Sequence, residues 1–334
     1  MRTLQITGKL EMALKEVVIP QPLAGQVRIK VAYVGVCGSD LHYYFEGANG
    51  AFIIKEPLTP GHELSGTVDL DPLNEFPVGT RVTVHPAHFG NLLPEIPDRP
   101  HLWPQGSYLG SASTTPHTQG AMSEYMTVER SMIRVIPELL SLRGAALCEP
   151  LAVGLHAINI AGGVLGKKIL VSGSGPIGLL AIAAAKILGA SSVSASDVLD
   201  GPLQRALLLG ASQTIKVTEE HLPTDAFDVV LECSGAPSAI SAALRTVRRA
   251  GIVVQVGMLS AGDQPIALSA LISKEVQLRG TFRFNTEIDD AISMIAVNPF
   301  LERVITHTYP LTEAIVAFGM AKNSEESGKV LIEL

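Results

Sequence analysis

The sequence contains 334 residues, of which 47% are hydrophobic and 17% are charged, a composition that excludes a disordered chain and fits two ordinary domains. Its formal net charge of −7 argues against nucleic acid or an anionic membrane as a partner. No apolar stretch reaches the about 18 residues of a membrane span, no secretion signal is present, and three cysteines are too few for a disulfide framework, so we expect a cytoplasmic protein.

The predicted elements change in character about halfway along the chain. Residues 1–147 are rich in proline, glycine and histidine and contain short alternating runs such as 26–32, which predict an antiparallel, barrel-like unit. From about Cys148, apolar strands alternate with helical patterns. We predict strands over residues 168–172, 192–196, 227–232 and 252–256, and helices over residues 177–188, 203–209 and 238–247. This alternation predicts βαβ units, a parallel sheet and a doubly wound α/β fold.

Three potential metal ligands lie in the first unit. Cys37 is followed by Gly-Ser-Asp-Leu-His, and His62 and Glu63 end the sequence Pro-Gly-His-Glu. Thiolate, imidazole and carboxylate all bind zinc, and a site with three protein ligands leaves a position for water or substrate. The spacing of 25 residues (62 − 37) is not that of a zinc finger. From these residues alone, a buried core thiol and a surface turn remain open as structural interpretations.

A glycine motif lies between a predicted strand and a predicted helix, where residues 173–178 read Gly-Ser-Gly-Pro-Ile-Gly. Gly173 permits the tight turn, Gly175 lets the backbone approach a pyrophosphate, and Gly178 lets helix and strand pack closely. Asp197 lies 19 residues further on (197 − 178), at the end of the next strand. A carboxylate there accepts a hydrogen bond from the ribose 2′-hydroxyl and repels a 2′-phosphate. The motif predicts a site for NAD rather than NADP; the structural alternative is a glycine turn with a helix-capping aspartate.

The order of these motifs resembles the medium-chain zinc alcohol dehydrogenase family, and within it the group of sorbitol (polyol) and L-idonate 5-dehydrogenases. Residues 35–43, 60–66 and 149–157 carry the resemblance together with the glycine motif. It implies a GroES-like catalytic domain and an inserted Rossmann domain that binds NAD. We accordingly place the catalytic zinc domain at residues 1–147 and 283–334 and the dinucleotide-binding domain at residues 148–282. The family also implies a homodimer or a homotetramer.

The resemblance further assigns the metal site. Cys37, His62 and Glu63 match the ligands of the catalytic zinc, and Glu149 matches a glutamate that binds the metal directly or through water. Oxygen donors in place of a second thiolate make zinc a harder Lewis acid, which suits a substrate with neighbouring hydroxyls.

The remaining roles concern proton transfer, substrate and cofactor. Ser39 and His42 are expected to relay the proton of the substrate hydroxyl to water. Tyr43 and Arg283 are expected to contact the substrate, where a guanidinium binds hydroxyls or a carboxylate. The expected cofactor contacts are Gly173, Gly175, Pro176, Ile177, Gly178, Asp197, Val256, Gly257 and Phe282.

The sequence departs from the family pattern at two places. The lobe of residues 88–111, where many relatives hold a structural zinc with four cysteines, contains no cysteine, so we expect one zinc per subunit. We expect this lobe to be held instead by apolar packing of Leu92, Leu93, Ile96 and Trp103. Pro202 stands where relatives often place a basic residue near the adenosine.

These features predict a zinc-dependent, NAD-linked oxidation of a secondary alcohol on a sugar acid or polyol, with L-idonate ahead of sorbitol and xylitol. A dehydrogenase of simple alcohols is disfavoured by the oxygen ligands and by Arg283. The alternative of a different class is a nucleotide-binding module without catalysis, against which the intact ligand set argues.

Overall fold

The computed structural model describes residues 1–260 and 262–334. Its strands are β1 (Arg2–Gly8), β2 (Glu11–Glu16), β3 (Gln26–Gly35), β4 (Ala48–Asn49), β5 (Phe52–Ile53), β6 (Glu63–Leu70), β7 (Arg81–Val84), β8 (Ala87–His88), β9 (Ser107–Tyr108), β10 (Tyr125–Glu129), β11 (Ile133–Val135), β12 (Lys168–Ser172), β13 (Ser192–Asp197), β14 (Gln213–Lys216), β15 (Phe227–Glu232), β16 (Val247–Gln255), β17 (Gln277–Gly280), β18 (Ile305–Pro310) and β19 (Lys329–Glu333). Its α-helices are α1 (Gly38–Glu46), α2 (Leu142–Ala145), α3 (Cys148–Ile160), α4 (Pro176–Ile187), α5 (Asp200–Leu208), α6 (Pro237–Thr246), α7 (Ser269–Ser273), α8 (Glu287–Val297) and α9 (Ala314–Lys322).

The chain divides into two compact units. The first contains Met1–Glu149, Ile288–Lys322 and Lys329–Leu334, and the second contains Pro150–Glu287 and Asn323–Gly328. These bounds differ from the predicted ones at three places: residues 148–149 pack with the first unit, whereas residues 283–287 and 323–328 pack with the second.

The first unit is built on a seven-stranded sheet in the order β11-β7-β6-β3-β19-β18, with β10 also paired to β3. Val27, Ile29 and Val31 alternate inward along β3 and are at most 2% exposed, because successive side chains of a strand point to opposite faces. Strand β19 pairs antiparallel with β3, with Leu331 opposite Gly35. The last strand of the chain thus lies beside the strand that leads into the Cys37 motif.

The second unit is built on a six-stranded sheet in the order β14-β13-β12-β15-β16-β17, and each of its ladders is parallel. Strands β12 and β15 lie at its centre, and their apolar residues are almost entirely buried. Helix α4 follows β12 directly, so the glycine turn lies at the carboxyl end of a central strand. The predicted doubly wound sheet is confirmed, and this turn occupies the position where such sheets bind dinucleotides.

The lobe of residues 88–111 differs from our expectation. Leu92 is 59% exposed and Leu93 is 36% exposed, so apolar packing of these side chains does not hold the lobe. The indole nitrogen of Trp103 instead donates to the carbonyl of Ile96 at 3.0 Å, and β8 pairs with β9. Ile96 and Trp103 are partly buried, so the predicted packing is wrong for the two leucines only.

Within the part of the chain that is described, none of the helices combines the length and the hydropathy required to span a bilayer.

Candidate metal centre and nucleotide site

The three predicted metal ligands converge in the first unit. Cys37 follows β3 and precedes α1, whereas His62 and Glu63 lie at the start of β6. The antiparallel pairing of β3 with β6 places Gly35 opposite Glu63 and so brings the two segments together. One ligand atom from each of the three side chains lies within 4.8 Å of the others.

Two glycines make this approach sterically possible. A Cβ atom at Gly35 would lie 1.9 Å from Oε2 of Glu63, so a larger residue would displace the carboxylate. Gly61 has a φ of +97°, a conformation that L-residues rarely adopt, and a Cβ there would meet Val34 at 2.6 Å. These contacts explain why glycine stands at both positions beside the ligands.

Asp40 is a buried carboxylate that joins the two segments bearing the ligands. Its Oδ2 accepts a hydrogen bond from the backbone N–H of Cys37 at 2.9 Å, and its Oδ1 accepts one from that of Gly61 at 3.0 Å. Burial raises the pKa of this carboxyl group. We did not single out Asp40 from the sequence, although its place at the third position of a helix is typical of a capping acid.

The electrostatics of the cluster favour a cation. Burial by itself would lower the pKa of His62, but the charge of Cys37 and the hydrogen bond to it, together with Glu149 and Asp40, raise this pKa to about 10. The buried Nδ1 of His62 has no hydrogen-bond partner. Several negatively charged groups around an imidazole nitrogen without a hydrogen-bond partner fit a metal ion. A thiolate, an imidazole and a carboxylate are ligands that fit zinc.

Two further groups surround Glu63 and Glu149. Lys329, at the start of β19, is 2% exposed, and its Nζ donates to Oε1 of Glu63 at 2.7 Å. Burial alone would lower the pKa of Lys329, but the charge of Glu63 raises it. Glu149 is buried and accepts a hydrogen bond from the hydroxyl of Tyr108 at 2.6 Å. Burial raises the pKa of Glu149, the charge of His62 opposes this rise, and that of Glu63 adds to it.

The predicted proton relay lies on α1. The hydroxyl of Ser39 is buried and has no hydrogen-bond partner. The side chain of His42 is 53% exposed, and its Nδ1 lies 3.0 Å from Oε1 of Glu46. Tyr43 is only 1% exposed, and its hydroxyl accepts a hydrogen bond from the backbone N–H of Ala112. Tyr43 therefore has a buried position on α1, and its contact with the substrate stays a prediction.

The glycine turn of the second unit has the close contacts that its residue types suggest. Gly173 has a φ of +90°, and a Cβ at Gly178 would lie 1.9 Å from the carbonyl oxygen of Gly173. Asp197 ends β13, and its Oδ2 accepts a hydrogen bond from the backbone N–H of Ser174 at 2.7 Å. The acid thus lies directly beside the turn. Pro176 opens α4, with Ile177 next to it.

The other predicted cofactor and substrate residues lie in two places of the same unit. Val256 and Gly257 follow β16, and each donates its backbone N–H to the carbonyl of Glu232 at 2.8 Å. Phe282 is 41% exposed, and the guanidinium of Arg283 lies 4.7 Å from the centre of its ring. Each of these two groups of residues follows the carboxyl end of a strand of the parallel sheet.

Glu232 is a second buried acid that the sequence analysis missed. It is 0% exposed, and its carboxylate accepts hydrogen bonds from the backbone N–H groups of Ser234 and Gly235, each at 2.9 Å, and from Nε2 of Gln255 at 2.6 Å. An acid at the end of a buried apolar strand was the available signal. This acid fixes the turn after β15, which touches Gly173.

The fold and these clusters are those of a nucleotide-dependent metalloenzyme, and comparisons with known proteins agree. Residues 23–138 match the alcohol dehydrogenase GroES-like domain, and residues 176–297 match the zinc-binding dehydrogenase domain. The chain therefore belongs to the zinc-binding dehydrogenases with a GroES-like domain, an oxidoreductase family, which confirms the resemblance, the fold class and the enzyme class predicted from the sequence.

Individual relatives match over nearly the whole chain. The sequence is 34% identical to L-idonate 5-dehydrogenase (NAD(P)(+)) of Escherichia coli, over 97% of this chain and 96% of that protein. It is also 34% identical to sorbitol dehydrogenase of Gallus gallus, over 92% of this chain and 89% of the relative. The crystal structure of L-idonate 5-dehydrogenase from Escherichia coli matches with a TM-score of 0.92 and 32% identity, covering 100% of this chain and 98% of that chain.

Proposed function

We propose that this protein uses zinc and NAD to oxidise a secondary alcohol of a sugar acid or polyol, with L-idonate as the first candidate substrate. The main support is the convergence of Cys37, His62 and Glu63 within 4.8 Å, in a chain that resembles L-idonate and sorbitol dehydrogenases over most of its length. We also propose that it forms a homodimer or homotetramer, as the family resemblance implies, and that it acts in the cytoplasm.

In this proposal Cys37, His62 and Glu63 hold the zinc ion, and Glu149 binds it directly or through water. Zinc, when bound, lowers the pKa of the substrate hydroxyl and so eases its deprotonation. The buried hydroxyl of Ser39 has a free donor and a free acceptor for this proton. His42 reaches bulk water and passes the proton on, since its side chain is half exposed.

The second unit supplies the cofactor site. The first turn of α4 offers free N–H groups to the pyrophosphate, and Gly173, Gly175 and Gly178 keep the backbone close. Asp197 receives the hydroxyls of the adenosine ribose, which favours NAD over NADP. We place the nicotinamide against the residues that follow β16 and β17, namely Val256, Gly257 and Phe282.

A sugar acid is the favoured substrate because Arg283 offers a guanidinium. A guanidinium binds a carboxylate with two parallel hydrogen bonds, which no hydroxyl of a neutral polyol can match. Polyols such as sorbitol or xylitol are the second candidates, supported by the equal identity to sorbitol dehydrogenase.

The deciding experiment combines metal analysis with a substrate screen. The purified protein is analysed for zinc and then mixed with L-idonate, sorbitol or xylitol and either NAD or NADP, while the absorbance of the reduced cofactor is followed. We expect about one zinc per chain, and turnover fastest with L-idonate and NAD. Cys37→Ser should remove both zinc and activity, whereas Cys148→Ser, which changes another thiol of the same unit, should keep the zinc. A protein that binds NAD but neither zinc nor any of these substrates would be a non-catalytic nucleotide-binding module.

A further inference from the structure

The C-terminal segment Asn323–Gly328 packs with the second unit, where it contacts helix α5. Two guanidinium nitrogens of Arg205 donate to backbone carbonyls of this segment, Nη1 to Glu325 at 3.0 Å and Nη2 to Ser324 at 2.5 Å. The side-chain Oε1 of Glu325 accepts a hydrogen bond from the backbone N–H of Gly201, at 3.0 Å, in the first turn of α5. The segment therefore holds Arg205 and covers one end of the helix with a carboxylate.

The contact requires glycine at position 201. A Cβ atom there would lie 1.9 Å from the carbonyl oxygen of Glu325, the same oxygen that accepts from Arg205. A side chain at this position would force the segment away from α5. The close approach is thus specified by the sequence of the helix as well as by that of the segment.

The same end of α5 lies beside Asp197, the proposed ribose acid, because its Oδ1 accepts a hydrogen bond at 3.2 Å from the backbone N–H of Leu199, the residue that precedes the helix. Burial lowers the pKa of Arg205, while the negative charges of Glu325 and Asp197 oppose that lowering. Lys216 is the strand partner of Asp197. Its Nζ forms ion pairs with Asp200 at 2.7 Å and with Glu219 at 2.8 Å. Two cations beside the ribose position are therefore already bound to other groups.

In a dinucleotide fold, a nearby arginine accommodates the 2′-phosphate of NADP, and a carboxylate at the end of the second strand disfavours it. We propose that Glu325 is a specificity-determining residue, which excludes the 2′-phosphate by its own charge and by the hold of its segment on Arg205. This inference deepens the proposed NAD-linked function and rests on it. By this inference the C-terminal segment, and not only Asp197, disfavours the 2′-phosphate of NADP.

The test measures the dissociation constants of NADH and NADPH for the full-length protein by nicotinamide fluorescence. Glu325→Gln removes the charge but keeps an oxygen for the N–H of Gly201, so NADPH should bind about fivefold tighter and NADH should change by less than about twofold. Glu326→Gln removes one charge from the same segment and is the matched control, expected to change neither constant. Equal NADPH affinities in these two variants would overturn the inference.

A second pair of variants tests the hold on Arg205. Gly201→Ala should displace the carbonyl of Glu325, release the guanidinium and tighten NADPH binding by about tenfold. Adding Arg205→Gln should abolish this gain; a gain that persists in the double variant would contradict the role of Arg205. If the wild-type protein binds NADH and the variants do not differ, only this inference fails. If the wild-type protein binds neither dinucleotide, the proposed function fails and the inference fails with it.

Discussion

The ammonium group of Lys329 lies 2.7 Å from the carboxylate of Glu63, although 266 positions separate the two residues along the chain. The contact exists because β19 pairs with β3 and β3 pairs with β6, so the end of the chain lies beside the candidate metal ligands. Both side chains are at most 2% exposed. A buried carboxylate of this kind depends on its cation, because the desolvation cost of an unpaired charge is high.

Replacing Lys329 with methionine should therefore destabilise the first unit. We expect a loss of about 3 kcal/mol in the free energy of unfolding, measured by urea denaturation with a chelator present. Added zinc should raise the unfolding midpoint of this variant more than that of the wild type, because the metal supplies the missing positive charge next to Glu63. Lys15→Met, at an exposed position of β2, is the control and should leave the midpoint unchanged. Zinc stabilisation of equal size in variant and wild type would refute this account of Lys329.

Asp40 provides a second prediction. Asp40→Asn keeps one oxygen acceptor and replaces the other with a donor, so one of the N–H groups of Cys37 and Gly61 loses its partner and faces an amide N–H. We expect a loss of stability of about 2 kcal/mol and a weaker affinity for zinc, with the fold unchanged by circular dichroism. Asp69→Asn, which changes a half-buried partner of Arg28 in the same sheet, is the comparison. Wild-type zinc affinity in Asp40→Asn would show that Asp40 does not position the ligands.

Lowering the pH should reduce the stability of the second unit, because it protonates the carboxylate of Glu287. Burial would raise the pKa of this carboxyl group, but hydrogen bonds from His156, Asn159 and the backbone of Asn285 lower it from 4.5 to about 2. A depressed pKa in the folded state contributes stability above the unfolded value, and this contribution is lost as the pH falls from about 4.5 towards 2. Glu287→Gln should lower the stability at neutral pH by about 2 kcal/mol and flatten the acid limb of the stability profile. Glu220→Gln, at an exposed position, should retain the wild-type slope between these pH values; the same slope in Glu287→Gln would contradict the prediction.

The sequence was informative wherever function depends on local spacing. The glycine turn follows from the order strand, glycines and helix, and Asp197 follows from its distance to that turn. The roles of Lys329, Asp40 and the segment 323–328 were not predictable in this way, because each depends on strand register or on contacts between distant parts of the chain.

One error concerns the lobe of residues 88–111, where the apolar character of two side chains was taken as a sign that they pack. Leu92 and Leu93 were expected to pack because they are apolar, but hydrophobicity alone does not show whether a small lobe can cover them. Tyr43 lies in the core of the first unit, and its expected contact with the substrate stays a prediction. Helix periodicity places neighbouring residues on different faces, so Tyr43 is buried whereas the adjacent His42 is exposed.

Glu232 links the core of the second unit to cofactor affinity. The groups around its carboxylate all donate hydrogen bonds: the backbone N–H groups of Ser234 and Gly235 and the side-chain amide of Gln255. In Glu232→Gln the new N–H₂ group is itself a donor, so it must face at least one of these donors. The turn after β15 should loosen as a result, and this turn touches the glycine turn, since a Cβ at Gly173 would lie 2.7 Å from the backbone nitrogen of Ser234.

We therefore expect the dissociation constant of NADH to rise about tenfold in Glu232→Gln, which corresponds to about 1.4 kcal/mol, while the zinc content stays at the wild-type level. Ser234→Ala removes one hydroxyl donor and leaves both backbone N–H groups bound to the carboxylate, so its effect on NADH should be smaller. Fluorescence titration with NADH and metal analysis of the same samples provide both measurements. Loss of zinc together with NADH binding would point to general unfolding. Unchanged NADH affinity in a folded Glu232→Gln protein would show that the turn holds its position without the acid.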